Sequence, residues 1–391
     1  MNCIGFYKLI VTTTTFLVIG VLIVGCHSSS APTLSPTITA TTESQPEEIV
    51  LTMGSWRTDD VEQMNFILSQ FNLSHPTIKV TFDPTPATQY DVALRAQLEQ
   101  GTAPDLFYLR SFAVSRSLYD QGYLEPLDNL AGLAESFTPD MIAPWATDEG
   151  IPYGVPFIAT SHGIYYNKDI FTQLALEVPV TWDDLLETAQ MIKDADIIPF
   201  ANASGSEWSI AEIVFMKIAP NFIGGREGRM AYLSGERCFN DAHIIAAFQA
   251  VADLAPYLPE NQDLLLYADS LQFFIQGKAA MWLGGSWDIP LFESQIPDFA
   301  WSVFAPPPPA GQSGFIAFHL DAGLGLNAAS SHKAEAREFL TWVTSPELAV
   351  LLGNALPGFF PMHTSPPLLA SEHANDFLAL NVGRGTDVRF A

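Results

Sequence analysis

Few residue sets in this chain have the spacing that covalent or metal chemistry requires. The eight histidines are scattered without a His-x-x-x-His pair, and the three cysteines (Cys3, Cys26, Cys238) do not cluster, so no metal-ligand spacing is present. No Gly-x-Ser-x-Gly elbow offers a serine nucleophile. Gly277-Lys278 lacks both the upstream glycine and the following hydroxyl of a phosphate loop. Gly323-Leu324-Gly325-Leu326-Asn327-Ala328 superficially matches a dinucleotide fingerprint, but its second glycine falls inside a strand-like run. The acid pairs Asp59-Asp60 and Asp183-Asp184 stand where helices begin, the usual place for capping carboxylates. What remains is the chemistry of non-covalent recognition. Trp287 follows Gly284-Gly285-Ser286 at a strand end, where ligands bind in open α/β sheets. Asn202, Glu207 and Trp208 surround Ser204-Gly205-Ser206 after another strand-like run. A carboxylate beside an indole suits a hydroxylated ligand, although a helix-starting acid would look the same.

The composition narrows the partners. Of 391 residues, 43 are Asp or Glu and 17 are Lys or Arg, a net charge of −26. Phosphate polymers and anionic lipid surfaces need clustered cations, so nucleic acid and charge-driven membrane binding are excluded. Hydrophobic residues reach 48% and charged residues only 15%, which describes a large packed interior rather than an acidic tail. A single core stops growing near roughly 250–300 residues, so two lobes are expected.

The elements that must position these residues alternate. Ile49 to Met53 is strand-like. Asp59 or Asp60 then caps a helix carrying Met64, Ile67, Leu68 and Phe71, and Ile78 to Phe82 returns to strand character. Tyr90 to Gln100 reads as a helix stopped by Gly101, and Pro104 to Tyr108 as a third strand. Thr181 opens a helix to Lys193 with Asp184 placed for a capping box. Ile197 to Ala201 is a strand, and Asp241 to Leu254 a helix with Ile244, Ile245, Phe248 and Val251 on one side. Lys278 to Leu283 and Ala322 to Asn327 are strands, and helices follow from Lys333 to Thr344 and from Ser345-Pro346-Glu347 to Gly353. This order predicts an α/β fold of mostly parallel sheets covered by helices.

The start of the chain reads differently. Lys8 is the only charge before Glu43, and an apolar run from Leu9 to Val24 is too short for a membrane span but suits a signal-peptide core. Leu22-Ile23-Val24-Gly25-Cys26 resembles a bacterial lipobox. That resemblance implies a signal peptide over 1–25 and a lipidated Cys26; an uncut signal anchor, or a secreted protein cut elsewhere, is the competing reading. Residues 26–48 are a tether: His27 to Glu48 holds thirteen Ser, Thr or Pro among twenty-two residues and no aromatic.

The order of motifs resembles the extracytoplasmic sugar-binding proteins of ABC importers, the group that includes maltodextrin-binding proteins. The resemblance rests on His75-Pro76-Thr77-Ile78-Lys79-Val80, Gly101-Thr102-Ala103-Pro104-Asp105-Leu106, Gly154-Val155-Pro156 and Tyr165-Tyr166-Asn167-Lys168-Asp169. It continues through Thr181-Trp182-Asp183-Asp184-Leu185, Phe274-x-x-Gly277-Lys278-Ala279-Ala280-Met281, Gly285-Ser286-Trp287 and Gly325-Leu326-Asn327, covering about residues 48 to 363. It implies a type II periplasmic-binding-protein-like fold with a ligand cleft between lobe 1 (49–158 and 300–343) and lobe 2 (159–299 and 344–391). It also implies a monomer that captures a carbohydrate, hands it to ABC transporter permease subunits, is lipid-anchored outside the cytoplasm, and uses no cofactor, metal or catalytic residue. Family members usually continue for several more helices after the segment like Leu356 to Pro361, whereas thirty residues remain here. The second lobe is therefore expected to lack part of its cover.

The same resemblance assigns the site. Trp287 would stack on a sugar ring, with Trp56 and Arg57 leaving the first strand and Tyr108 and Arg110 following the third at the cleft edge. Thr160, Ser161 and His162 precede the strand-like Gly163 to Tyr166, where the family often has a carboxylate; here a hydroxyl residue stands instead. His319 and Asp321 precede a Gly-rich strand, and Phe359 matches an aromatic region near the cleft. Core packing competes for Trp287 and Phe359, and a structural histidine for His162. A secreted glycosidase, which needs two carboxylates across one sugar, and a binder of polyamines or peptides stay open as alternatives.

Overall fold

The structure, a computed structural model, describes residues 48–206, 208–296 and 298–388. The signal segment, Cys26, the tether up to residue 47 and Glu207 lie outside the described residues. Ten strands order the fold: β1 (Ile49–Ser55), β2 (Ile78–Pro84), β3 (Leu106–Arg110), β4 (Val155–Asn167), β5 (Ile198–Phe200), β6 (Ala279–Gly285), β7 (Trp301–Phe304), β8 (Phe315–Leu326), β9 (Phe360–Pro361) and β10 (Gly385–Asp387). The path β2-β1-β3-β8-β4-β6-β5 runs through them.

The α/β class is as expected, and the pairing is mixed. β1 pairs with β2 and β3 in parallel, as helical crossovers require, and β5 pairs with β6 in parallel. β8 runs antiparallel between β3 and β4, and β6 and β7 run antiparallel to β4. β4 is shared by two sheets. Its residues Val155 to Ser161 pair with β8, and its residues His162 to Asn167 pair with β6 and β7. The change of partner falls between Ser161 and His162.

Three strands are placed differently from the sequence reading. Tyr108 and Arg110 lie inside β3, which begins two residues later than expected. Thr160, Ser161 and His162 lie inside β4, and His319 and Asp321 inside β8. In each case a polar residue breaks the apolar run without ending the strand, because the backbone ladder to a neighbouring strand continues through it: β3 stays paired with β8, and β4 with β8 and then β6.

Helix placement follows the caps. Thr181 and Asp184 form the capping box of helix Trp182–Asp194, and the Asp241 side chain caps helix Ala242–Asp253. Asp60 occupies the N-cap of helix Val61–Ser74, but its carboxylate turns to Arg57 instead of the helix N–H groups. Helix Ala242–Asp253 buries Ile244, Ala247 and Ala250, leaving Ile245 and Phe248 exposed. The expected apolar stripe is therefore rotated: alanines let this helix approach its neighbours closely, and Phe248 stacks at 4.6 Å on Phe215 instead.

Helix Pro346–Ala355 packs on helix Val61–Ser74. The residues after Pro361 supply cover of their own. Helix Glu372–Ala379 lies on β4 and β7, with Phe377 fully buried 5.1 Å from the Tyr165 ring. β10 adds in parallel to the start of β8 and carries Asp387, whose side chain is 1% exposed and accepts three Arg229 contacts of 2.9–3.1 Å. A buried carboxylate robbed of its cation is costly. Arg229→Met should therefore destabilise the protein by about 3–5 kcal/mol, measured by urea unfolding, and an unchanged midpoint would show that Asp387 is not held by this pair.

Candidate functional site

The Trp287 turn is built by close approach. β6 is buried along its whole length, and the backbone leaves it through Gly284-Gly285-Ser286. A Cβ on Gly284 would stand 2.3 Å from Trp282 Nε1, and one on Gly285 2.0 Å from the Trp287 ring. Only glycine lets the indole fold back over the strand end. Ser286 ties this turn to two other chain segments. Its hydroxyl donates to the Gly358 carbonyl at 2.5 Å and accepts the Ser161 N–H at 3.0 Å. Gly358, at φ +89°, is itself pressed against Ser286, where a Cβ would meet the carbonyl oxygen at 1.9 Å. The turn, the middle of β4 and the loop before β9 are thus one knot.

Trp287 is half-buried, its ring edge-on to His162 with centroids 5.1 Å apart. Its Nε1–H donates to the Tyr267 hydroxyl at 3.1 Å. Tyr267 in turn donates to the Asp288 carboxylate (2.8 and 3.0 Å), which also accepts the Trp282 Nε1–H at 3.0 Å. Trp208 packs on the other side of Tyr267, centroids 4.6 Å apart. Beneath the turn, Lys217 is fully buried and donates to the Gly284 carbonyl at 2.5 Å. Burial pushes the Asp288 carboxyl up to about 6, against the pull of Trp282, Tyr267 and Lys217. Burial also holds the Lys217 amine well below the ordinary lysine range, with Asp288 pulling the other way.

The other wall comes from the first sheet. Trp56 is buried with its ring edge-on to Tyr90 and Tyr108, and the Arg110 guanidinium lies 4.5 Å above its face while pairing with Asp91. Arg57 forks onto Asp60 (2.5 and 2.9 Å) and lies 4.7 Å over the Phe359 ring. Desolvation alone would weaken its proton, but Asp60, with Asp59 and Asp321, more than offsets that and raises its pKa. The charge of Arg57 also acts on Tyr108 and, more weakly, on Tyr267. Thr160 and Ser161 stand between the walls; both are buried, and neither side-chain hydroxyl has a hydrogen-bond partner among the described residues.

The sequence-predicted residues therefore divide. Trp287 lies against His162 and shares Tyr267 with Trp208, and Thr160, Ser161 and His162 sit at the sheet change beside Ser286; Arg57 lies over Phe359 and feels the charge of Asp321. Tyr108 and Asn202 brace instead. Tyr108 sits among Trp56, Phe82 and Phe157 with its hydroxyl toward Met64. Asn202 gives both its amide atoms to the backbone of Leu283, each at 2.8 Å. Phe359 is 2% exposed, its face taken by Arg57. The sequence reading missed Tyr267, Asp288 and Lys217. Asp288 stood next to Trp287, and Lys217 was the one cation in the apolar run Ile213 to Ile218, a signal that was there to be read. Tyr267 had no such signal, since 20 residues separate it from its partner Trp287.

Two sheets sharing β4, with rings and unpartnered hydroxyls near the change of partner, make up the candidate site of this α/β fold. The chain belongs to the bacterial extracellular solute-binding protein family, whose model matches residues 55–350. These are proteins that bind solutes outside the cytoplasm and are not enzymes. It is 23% identical over 338 residues to the multiple sugar-binding protein of Streptococcus mutans, covering 83% of this chain and 76% of that protein. It is 24% identical over 336 residues to the mannitol-binding protein of Pseudomonas aeruginosa (78% and 71%). An uncharacterized ABC transporter extracellular-binding protein of Pyrococcus horikoshii matches at 24% over 282 residues, 69% of this chain and 65% of its own length. Among solved structures, a protein from work on xylan utilization by Caldanaerobius polysaccharolyticus superposes with a TM-score of 0.78 at 22% identity (88% of this chain, 91% of that one). RafE in complex with raffinose superposes at 0.74 and 23% identity (88% and 90%). The fold is the type II periplasmic binding fold that these share. Among the described residues no His, Cys, Asp and Glu group could hold a metal, and no helix is long and apolar enough to cross a membrane.

A methyl group at position 285 tests the turn. Gly285→Ala should displace the indole at a cost of about 1–3 kcal/mol, with loss of near-ultraviolet dichroism from Trp287. A variant with unchanged stability and spectrum would mean that the ring does not rest on this glycine.

Proposed function

We propose that the protein is an extracytoplasmic solute-binding lipoprotein of an ABC importer, which captures a mono- or oligosaccharide between two closing lobes and delivers it to a membrane permease. The carrying observation is the half-exposed Trp287 indole held on Gly285 beside the buried, unpartnered hydroxyls of Thr160 and Ser161. A pyranose presents apolar C–H faces and a rim of hydroxyls, and this arrangement offers one ring for the face and hydroxyls for the rim. The names of the sugar-binding and mannitol-binding relatives support the ligand class, and those of the ABC transporter binding proteins support the permease. On this reading the lobes meet along β4, the ligand favours the closed form by contacting both walls at once, and the protein acts as a monomer without a cofactor. Arg57 and Arg110 are each paired to a carboxylate, which suits an uncharged sugar.

Thermal shift and calorimetry against xylo-oligosaccharides, chito-oligosaccharides, raffinose and mannitol should reveal a ligand. Trp287→Ala should weaken its binding about tenfold or more, at least about 1.4 kcal/mol; unaltered affinity in that variant would remove Trp287 from the site. The anchor is tested separately. Cys26→Ala should move the protein from the membrane to the soluble fraction of cells and abolish incorporation of labelled fatty acid, and a wild-type protein carrying no label would refute lipidation.

A further inference from the structure

We infer that Tyr267 is a positioning residue that couples the Trp287 indole to the buried carboxylate of Asp288. Its bearing on the ligand rests on the role proposed above for Trp287, but the coupling stands on geometry alone. The Trp287 Nε1–H has the Tyr267 oxygen as its acceptor, and the Tyr267 proton goes to Asp288. The hydroxyl is used once as acceptor and once as donor, so the direction of the chain is fixed by what each group can do. An indole hinged only by its Cα–Cβ and Cβ–Cγ bonds would be free to turn; with its nitrogen tethered and its face on Gly285, one orientation is selected. The same ring of Tyr267 packs on Trp208, so a single phenol aligns two indoles along one wall.

The carboxylate is set from every side. Lys217 faces it from helix Met216–Ile218, Tyr267 from helix Tyr267–Ile275, Trp282 from β6 and the Gly285 backbone from the turn, while Tyr165 of β4 feels its charge. Arg57 and Glu293 act one step further out, on Tyr267 and Tyr165 respectively. Burial that pushes Asp288 up to about 6 places its protonation within reach of mild acid. Protonation weakens the carboxylate as an acceptor from both Tyr267 and Trp282, and through Tyr267 the change reaches Trp287.

The test needs no ligand. The eight tryptophan indole N–H resonances of the full chain are followed from pH 4.5 to 8, with Trp287→Phe and Trp282→Phe assigning two of them. In wild type both resonances should shift with a common midpoint near pH 6. In Tyr267→Phe, Trp282 should still titrate, which also certifies the fold, while the Trp287 shift is lost. In Asp288→Asn both should stop moving. A Trp287 resonance that is silent in wild type, or that titrates unchanged in Tyr267→Phe, overturns the coupling. Because these spectra are recorded without sugar, such a failure is distinct from an unaltered affinity in Trp287→Ala, which would refute the functional reading instead.

Discussion

The structure depends on one strand serving two sheets. β4 pairs with β8 up to Ser161 and with β6 and β7 from His162, so its backbone carries the only continuous ladder between the two halves of the described path. The change of partner falls between Ser161 and His162, and a residue facing the junction must be small enough for both sheets to approach. Thr160 and Ser161 meet that demand. Ser286 then completes the junction by bonding Ser161 on one side and Gly358 on the other. A serine is used where a bulkier donor would force the sheets apart.

That junction explains why polar atoms collect in an otherwise apolar interior. Buried hydroxyls, amides and charges are costly unless paired, and most here are paired: Asn202 with Leu283, Lys217 with Gly284, Asp288 with Tyr267 and Trp282. The hydroxyls of Thr160 and Ser161 are among the buried side-chain groups without a hydrogen-bond partner, and they are the ones that lie beside the proposed ligand position. The two glycines at the end of β6 make room for both indoles, Trp282 donating to Asp288 and Trp287 to Tyr267.

Much of the fold was legible because local signals and tertiary demands agree. The capping box at Thr181, the αL stop at Gly101 and the parallel crossovers from β1 to β3 follow from short stretches of sequence. The misplaced strand ends have a common cause. Polar residues at 108–110, 160–162 and 319–321 break a pattern that reads apolar runs, whereas the backbone ladder to a neighbouring strand continues through them. Helix Ala242–Asp253 formed as expected but turned a different face inward: Ile245 and Phe248 face outward, and its packing face is Ile244 with Ala247 and Ala250, alanines that no hydrophobic count favours over Phe248.

The sequence by itself determined the class of fold, the family and the position of Trp287, since the Gly284-Gly285-Ser286-Trp287 turn is a local feature with a local steric reason. It also determined the charge that excludes polyanionic partners. Only the tertiary structure decided which candidates face the site. Tyr108 and Asn202 became braces and Phe359 a floor beneath Arg57, while Tyr267, Asp288 and Lys217 entered from positions up to 67 residues from the groups they hold. The physical reason is that a hydrogen bond between side chains leaves no periodicity in the chain. Its partners are chosen by where the backbone folds back, and that is settled by the pairing of β4 with its neighbours rather than by any stretch of sequence around the residues themselves.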